Sequence, residues 1–338
     1  MRHLSLFRIE HFFYVLGLLP GVLAGQTCCS GGVPVSSNLG LPASEAKTLQ
    51  LSLNYDLNEL KTLREGSRKL DNPGSSRRTH TVMFQAGYAF SGRLSADVFI
   101  PYIRQERTST DFEYSAGLGD ISALLKYKIL LTAGGLTQWL IGAGVEFPTG
   151  SSSEISNLSG RAFLLSADMQ PGSGSWDGIF WTQFVHATKF RPSLSFLAQG
   201  IYKYNGENRD FDGGKRPYQF GQEFQILAGL SDRILLFNLI IDPNVSLRFR
   251  KSYTDHSSPN GNRVKLPASG GNFLMAATGV AWWVRPDFSI NVNVEVPIYA
   301  EVTLSQVAPT YRLNAGFYYK LGRKAPEIMP APIFTPDQ

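Results

Sequence analysis

Alternation of apolar and polar residues is the feature of this sequence that most restricts its fold. In the stretch 288–298, "FSINVNVEVPI", every even position is apolar, whereas the odd positions include Asn291, Asn293 and Glu295. A period of two places successive side chains on opposite faces of a β-strand. The stretch 235–250 keeps the same pattern over sixteen residues, well beyond the usual strand length of about 5–6 residues. The sequence therefore predicts long strands with one apolar face and one polar face.

Twelve segments with this pattern follow one another, although both faces of 176–188 are apolar and its facing stays ambiguous. They are 48–57, 81–90, 93–104, 119–130, 136–148, 176–188, 193–204, 218–230, 235–250, 272–284, 288–298 and 310–321. The long connections alternate with short ones and cover 58–78, 105–118, 149–175, 205–217, 251–271 and 300–309. Bacterial barrels combine an even strand number with short turns at one end and long loops at the other. We therefore predict an all-β fold, a 12-stranded antiparallel transmembrane β-barrel.

Closure of this barrel requires the first segment to pair with the last. Pro243 lacks the N–H group that a strand ladder uses, so we expect a β-bulge there. Aromatic residues near the segment ends, among them Tyr102, Trp139 and Tyr218, predict two girdles at the membrane interfaces.

The N-terminus has the parts of a secretory signal. Arg2 and Arg8 precede the apolar run 12–24, which is too short for a transmembrane helix of about 20 residues. We predict a signal peptide (1–25), a periplasmic segment or lumen plug (26–47), the barrel (48–321) and a Pro-rich periplasmic tail (322–338). The expected location is the outer membrane of a Gram-negative bacterium. The plug candidates are Cys28, Cys29, Val33 and Leu39, and a disordered tail is the alternative.

Charge and cysteine content exclude several classes of function. The net charge is +5 and the basic residues are scattered, so no nucleic-acid footprint is present. Two adjacent cysteines cannot build a disulfide framework. The basic residues of the connection 58–78 would suit the phosphates of lipopolysaccharide, although a solvated basic loop is the commoner explanation. No cofactor or metal site is predicted, and the sequence does not indicate an oligomeric state.

Polar residues on the inward positions are the candidate lining of a pore. A twelve-stranded barrel lies between small filled barrels and wide porins, so a narrow pore is expected. Both signs of charge occur, which predicts no strong ion selectivity; the alternative is that these charges only pair and fill the lumen. The candidates are Asp97, Asp120, Lys126, Glu146, Glu223, Arg248, Asn291, Asn293, Glu295 and Arg312.

Several short motifs, in order along residues 80–321, resemble a family of outer-membrane proteins named for the MetA pathway of phenol degradation. The motifs are "GLGDISALLKY" (117–127), "GVEFPTG" (144–150), "QPGSGSWDGIF" (170–180), "IYKYNGEN" (201–208) and "YQFGQEF" (218–224). The resemblance implies a non-enzymatic outer-membrane channel, in contact with the lipid bilayer, that passes small molecules by diffusion, with aromatic or other apolar molecules as the candidates.

Two other functions remain open at this point. One is an outer-membrane lipid hydrolase, for which His256, Ser257 and Asn260 have suitable side chains. The other is a structural or adhesive barrel that displays basic loops.

Overall fold

The computed structural model describes residues 46–132, 135–158, 161–237 and 239–322. The predicted signal peptide, the plug candidates Cys28, Cys29, Val33 and Leu39, and all but the first residue of the predicted tail lie outside these residues. Within the described ranges, no helix is long and apolar enough to cross a membrane.

Twenty strands make up the described fold. In chain order they are β1 (Leu49–Gly66), β2 (Arg68–Lys69), β3 (Ser76–Ala89), β4 (Leu94–Thr108), β5 (Phe112–Leu118), β6 (Ile121–Leu131), β7 (Thr137–Phe147), β8 (Ile155–Leu158), β9 (Arg161–Leu164), β10 (Asp177–Ala187), β11 (Leu194–Tyr204), β12 (Glu207–Asn208), β13 (Tyr218–Gln219), β14 (Glu223–Asp232), β15 (Ile234–Leu236), β16 (Leu239–Ser252), β17 (Asp255–Ser257), β18 (Val264–Leu266), β19 (Gly271–Arg285) and β20 (Phe288–Leu321). Single helical turns of the 3-10 type occur at Ala167–Met169 and Pro259–Gly261.

The long strands close into an antiparallel barrel. Its order is β1, β3, β4, β6, β7, β10, β11, β14, β16, β19 and β20, and β20 pairs back with β1. Leu49 lies opposite Leu321 and Leu57 opposite Leu313, which confirms the predicted pairing of first and last segments. Closure leaves no free sheet edge in the wall, as a membrane-spanning sheet requires.

The last strand, β20, crosses the wall twice. Its residues 288–302 pair with β19, whereas residues 305–321 pair with β1. Leu304 has a φ of 57°, at the point where the chain must reverse. The Asp287 carbonyl accepts a hydrogen bond of 2.8 Å from the Lys320 N–H, so both ends of β20 lie together. Because β20 crosses the wall twice, the eleven strands of the ring make twelve passes. The predicted fold class is therefore confirmed.

The outer surface of the barrel is apolar, as the alternation predicts. Val292, Val294 and Val296 are 49%, 40% and 43% exposed, whereas Asn291 between two outward positions is only 3% exposed. The outward residues of β16 behave in the same way, and its inward Asp242, Asn244, Ser246 and Arg248 are buried. An exposed apolar surface of this extent is explained by contact with lipid.

Arginine at position 294 should therefore destabilise the barrel strongly. Val294 lies midway along the first pass of β20, opposite Thr278, so Val294→Arg would place a cation near the centre of the hydrocarbon layer. We expect a loss of about 2–4 kcal/mol in the free energy of unfolding, measured by urea titration in lipid vesicles. Asn272→Arg is the matched control at the end of β19, where the expected cost is about 0–1 kcal/mol. Equal costs at both positions would contradict the placement of this wall in lipid.

Three of the predicted long connections are largely strand. The segment 58–78 contains the end of β1 and the start of β3, the segment 105–118 is a hairpin of β4 and β5 with its turn at 109–111, and the segment 300–309 is a tight reversal within β20. Beyond the lipid band the strands carry polar residues on both faces. The amphipathic period therefore disappears from the sequence although the backbone pairing continues.

The stretches 235–250 and 218–230 also differ from the prediction. Leu235 and Leu236 belong to β15, which pairs with β16 as a hairpin, so the strand of sixteen residues does not exist. Phe237, with a φ of 48°, lies in this turn. The predicted girdle residue Tyr218 and its neighbour Phe220 are only 5% exposed, because they pack in a loop cluster before β14 begins.

Pro243 does not cause the predicted bulge. Its register with β19 is regular, with Pro243 opposite Val280. On its other side, pairing with β14 ends at Asn244 and pairing with β15 resumes at Ile241. The missing N–H therefore interrupts the ladder at this point without adding a residue.

Candidate functional site

The ten pore candidates all lie on the inner side of the barrel wall or at its rim. Nine occupy inward positions of the strands, and Asp120 lies in the break between β5 and β6. The Gly150 N–H (2.9 Å) and the Ser173 N–H (2.6 Å) donate to the two carboxylate oxygens of Asp120. Asp120 thus fastens two loops to the rim, which makes its position structural.

One group of inner charges lies on β4, β6, β7, β10 and β11. Nζ of Lys203 lies 2.6 Å from Oε1 of Glu146 and 3.2 Å from Oδ2 of Asp177. Nζ of Lys126 lies 2.5 Å from Oδ2 of Asp97. Each cation is therefore neutralised on the wall itself.

A second group lies on the opposite side, on β14, β16, β20 and β1. Nε of Arg248 donates to Oε1 of Glu295 at 3.0 Å. Arg250 pairs with Glu223 at 3.0 Å, and Arg312 pairs with Asp56 at 2.7 Å. The remaining candidates, Asn291 and Asn293, lie on the first pass of β20, where Nδ2 of Asn293 donates a weak hydrogen bond of 3.4 Å to Oδ1 of Asn291.

Sequence analysis missed Lys203, Asp177, Arg250 and Asp56, each of which completes one of these pairs. These four residues occupy inward positions of their strands, so the alternation of the sequence would have been enough to identify them. At these positions the structure therefore shows the inner charges as paired groups of opposite sign, which does not favour ions of either sign there.

An apolar strip interrupts the polar interior. Phe99, Leu124, Ile179 and Ile201 are buried together on the inner faces of β4, β6, β10 and β11, and Met83 and Trp181 pack against them. We call these six residues the apolar wall. Nζ of Lys126 lies 5.5 Å from the centre of the Trp181 ring, so a cation borders the strip. The sequence-based assumption that inward residues are polar is wrong here.

The connection between β7 and β10 folds into the mouth of the barrel at the end that carries the long loops. Residues 165–175, which we call the cap segment, are mostly buried and include Leu165, Met169 and Gln170. The Gln105 side chain donates to the Gln170 carbonyl at 3.0 Å, and the Ser115 hydroxyl donates to the Met169 carbonyl. The inner faces of β4 and β5 thus hold the cap segment by its backbone.

A buried arginine cluster anchors the centre of the cap segment. Arg77 on β3 is 2% exposed, and its Nη1 lies 2.8 Å from Oδ2 of Asp168, which is 1% exposed. Arg107 lies 3.3 Å from the same oxygen, and the Ser166 hydroxyl donates to Oδ1 at 2.6 Å. Burial by itself would raise the pKa of Asp168, but the guanidinium groups of Arg77 and Arg107 outweigh it and hold that pKa below its usual value. Asp168 is therefore ionised at neutral pH.

Arg77 is one of the basic residues of the connection 58–78. The prediction that these residues are exposed on a loop is wrong for Arg77. Its position on β3 is inward, so the side chain points into the barrel mouth and meets Asp168. The charge pattern of the sequence did not show that a carboxylate ninety-one residues away would be its partner.

Two glycines let the cap segment lie against the neighbouring loop. A Cβ atom built on Gly172 would lie 2.6 Å from the backbone of Gly150, closer than real Cβ atoms come. The Gly172 N–H donates to the Ser151 carbonyl at 2.8 Å across this contact. Both glycines belong to motifs singled out in the sequence, and their role is close approach of two backbones.

Above the cap segment, three loops share an apolar cluster. It contains Ala167, Phe211, Tyr218 and Phe220, with Leu164 and Leu266 packed against it. The Tyr218 hydroxyl donates to Asp255 at 2.6 Å, and the same carboxylate accepts the Gly221 N–H at 2.7 Å. The loops therefore form a small folded body over the mouth, and the four-stranded sheet of β12, β13, β17 and β18 is part of it.

The residues considered for hydrolysis do not form a catalytic arrangement. His256 and Ser257 are neighbours on β17, so their side chains point to opposite faces of that strand. Burial together with Arg263 and Lys265 lowers the pKa of His256, yet the hydrogen bonds of the described residues do not join it to a serine. Within the same residues, no group of three His, Cys, Asp or Glu side chains could hold a metal ion.

Comparison with solved structures finds the same fold. An outer membrane channel from Pseudomonas putida F1 is similar with a TM-score of 0.66 and 11% identity, covering 86% of this chain and all (100%) of that one. The β domain of the Bordetella autotransporter Brka (TM-score 0.47, 11% identity, 81% and 100% coverage) and the KdgM porin (0.39, 7%, 80% and 99%) are more distant. A comparison with curated proteins gave no significant match.

A match to a family model identifies the family of this chain. The model described as "Putative MetA-pathway of phenol degradation" matches residues 76–313, more than half of the 338 residues and the part that contains the cap segment and most of the barrel wall. The resemblance found in the short motifs is thereby confirmed. This chain belongs to that family.

Proposed function

We propose that the protein is a passive channel of the outer membrane for small apolar molecules, aromatic ones included. The apolar wall is the observation that carries the proposal. A lumen that conducts only water and ions does not require a cluster of apolar side chains. Here four strands contribute one: Phe99, Leu124, Ile179 and Ile201. An uncharged, flat solute can replace water there at little cost.

The paired charges support the same substrate class. Lys126, Lys203 and Arg248 each lie within ion-pair distance of a carboxylate, so the wall offers no unneutralised cation at these positions to hold an anionic solute. Trp181 presents a ring surface next to the strip, on which an aromatic solute can stack.

The proposed orientation places the long loops outside the cell and the short turns in the periplasm. Both described chain ends, near Leu49 and Leu321, lie at the short-turn end, as expected for an exported chain whose signal peptide has been removed. The cap segment then closes the outer mouth, and it must move, or leave a narrow gap, before a solute reaches the apolar wall.

Current block by a solute tests the proposal. In planar bilayers, benzyl alcohol should bind in the lumen and reduce the ion current, whereas xylose of similar size should not. Trp181→Ala should weaken the block by about 3–10-fold, because a lost aromatic contact is worth about 0.5–1.5 kcal/mol. Phe180→Ala is the matched control, since Phe180 is the next residue of β10 and points outward, 59% exposed.

Two results would overturn the proposal. The first is equal block by benzyl alcohol and xylose, or an equal response of the Trp181 and Phe180 variants. The second is the absence of any current both in the wild-type protein and in a variant whose cap segment has been released by Asp168→Asn.

A further inference from the structure

The outer wall of β1, β3 and β4 carries cations just beyond its apolar band. Lys61, Arg78 and Arg104, which we call the cation patch, are 52%, 41% and 53% exposed. Arg78 is in phase with the outward Val82, and Arg104 is in phase with the outward Tyr102. The patch therefore faces away from the lumen.

The height of the patch coincides with the edge of the lipid band. Tyr102 lies two residues before Arg104 on β4, about 7 Å lower on the wall. Tyr55 and Tyr102 are 43% and 48% exposed, as in an interfacial aromatic girdle. Lipid headgroups lie at this level, so their phosphates can reach the patch.

The cations keep donors that the protein does not use. Arg104 donates its Nε (3.0 Å) and one Nη2 bond (2.6 Å) to Glu106. Arg78 donates its Nε (2.6 Å) and one Nη2 bond (3.4 Å) to Glu59. A guanidinium has five N–H groups, so in the described part of the chain three on each arginine have no acceptor.

The paired carboxylates lie beneath the cations. Glu59 is fully buried under Arg78 and Lys61, and Glu106 is 18% exposed. An external ligand would therefore contact mainly the three cations. The ring of Tyr114 lies 5.4 Å from the Arg104 guanidinium and is 46% exposed, which adds an apolar side to the patch.

The strands β7, β10 and β11 carry no comparable cluster of cations. Their outward residues at the same end are aromatic: Phe147, Phe180 and Tyr204. A general solubility function would spread charges around the rim. A local cluster instead indicates a local ligand.

We propose that the cation patch binds the phosphates of lipid A, the membrane anchor of lipopolysaccharide, with its acyl chains along the outward side chains of β3 and β4. A phosphate is the acceptor for which arginine geometry is suited, and Val82, Phe84 and Val98 form the apolar surface below it. The inference uses the proposed orientation of the long loops. Its test uses detergent-solubilised protein, so failure of channel activity and failure of lipid binding are distinguishable.

Titration of the purified protein with lipid A provides the test, with bound lipid counted by native mass spectrometry. The first variant combines Lys61→Gln with Arg104→Gln. The second combines Arg78→Gln with Glu59→Gln, which removes both members of the buried pair and leaves no uncompensated carboxylate. Each should reduce lipid A affinity roughly tenfold or more, because charge-assisted hydrogen bonds are lost. Arg209→Gln with Lys215→Gln, on an exposed loop, is the control and should leave the affinity unchanged.

Two further titrations distinguish the phosphates of lipid A from free phosphate as the ligand. Lipid A without its phosphates should bind at least about tenfold more weakly, and inorganic phosphate in millimolar excess should not compete. Wild-type affinity in both variants, equal binding of dephosphorylated lipid A, or displacement by inorganic phosphate would each overturn the proposal. Heat-modifiable migration on gels confirms that every variant retains the folded barrel.

Discussion

Asp168→Asn should open the mouth of the barrel that the long loops cover. The substitution removes the carboxylate that Arg77 and Arg107 share, so the nearly buried guanidinium of Arg77 loses its ion pair with the cap segment. Breaking a buried pair in this way costs about 3–5 kcal/mol. The cap segment would then leave the mouth in a large fraction of the molecules, whereas the wall strands keep their pairing.

Cysteine labelling from outside the cell measures this opening. Ile201→Cys places a thiol on the apolar wall, and Cys28→Ser with Cys29→Ser removes the native thiols from the experiment. A membrane-impermeant maleimide should react with position 201 at least about tenfold faster once Asp168→Asn is added. Asp111→Asn, in the exposed turn between β4 and β5, is the control. Equal labelling rates in all three proteins would show that the ion pair does not keep the mouth closed.

The pH dependence of the same closure follows from the lowered pKa of Asp168. A carboxylate whose pKa is lower in the folded protein contributes stability above its unfolded pKa and loses it as the pH falls through the folded value. The cap segment should therefore stay closed at neutral pH and loosen only in strong acid.

The bilayer explains why so much of the wall could be predicted from the sequence. Lipid on one side and a wet lumen on the other favour apolar outward and polar inward residues along most of the wall, as Val292, Asn293 and Val294 show. The pairing of the first and last strands follows from closure alone. These features depend on residues close together in the chain, so a period of two is enough to find them.

The closure of the mouth follows from contacts that no local pattern contains. Arg77 lies in a basic stretch of the sequence that resembles a surface loop, and Tyr218 lies where an interfacial aromatic girdle is expected. Both residues are nevertheless buried by segments that are distant in the sequence. The apolar wall escaped prediction for a related reason. The inward Ile179 belongs to a segment that is apolar on both faces, so the facing of 176–188 stayed ambiguous, and the inward Ile201 does not follow the polar pattern of its own strand.

Lys203→Met should be the most destabilising single change within the lumen. The ammonium group pairs with both Glu146 and Asp177, and all three residues are buried. Methionine keeps an unbranched apolar stem, one atom shorter, and removes the charge, so two carboxylates would remain close together without the lysine cation. The expected loss in the free energy of unfolding is about 3–5 kcal/mol, measured by urea titration in lipid vesicles.

A triple variant separates charge from packing. Lys203→Met combined with Glu146→Gln and Asp177→Asn removes the cluster as a unit, and it should recover most of the lost stability because buried pairs can be replaced by neutral groups at little cost. Lys215→Met, on an exposed loop, should change nothing. If the triple variant were as unstable as Lys203→Met, the loss would come from the packing of the lysine stem. Recovery would instead mean that the two carboxylates beside Ile179 need the ammonium group of Lys203, and that the charge of this lysine stabilises the inner wall more than its packing does.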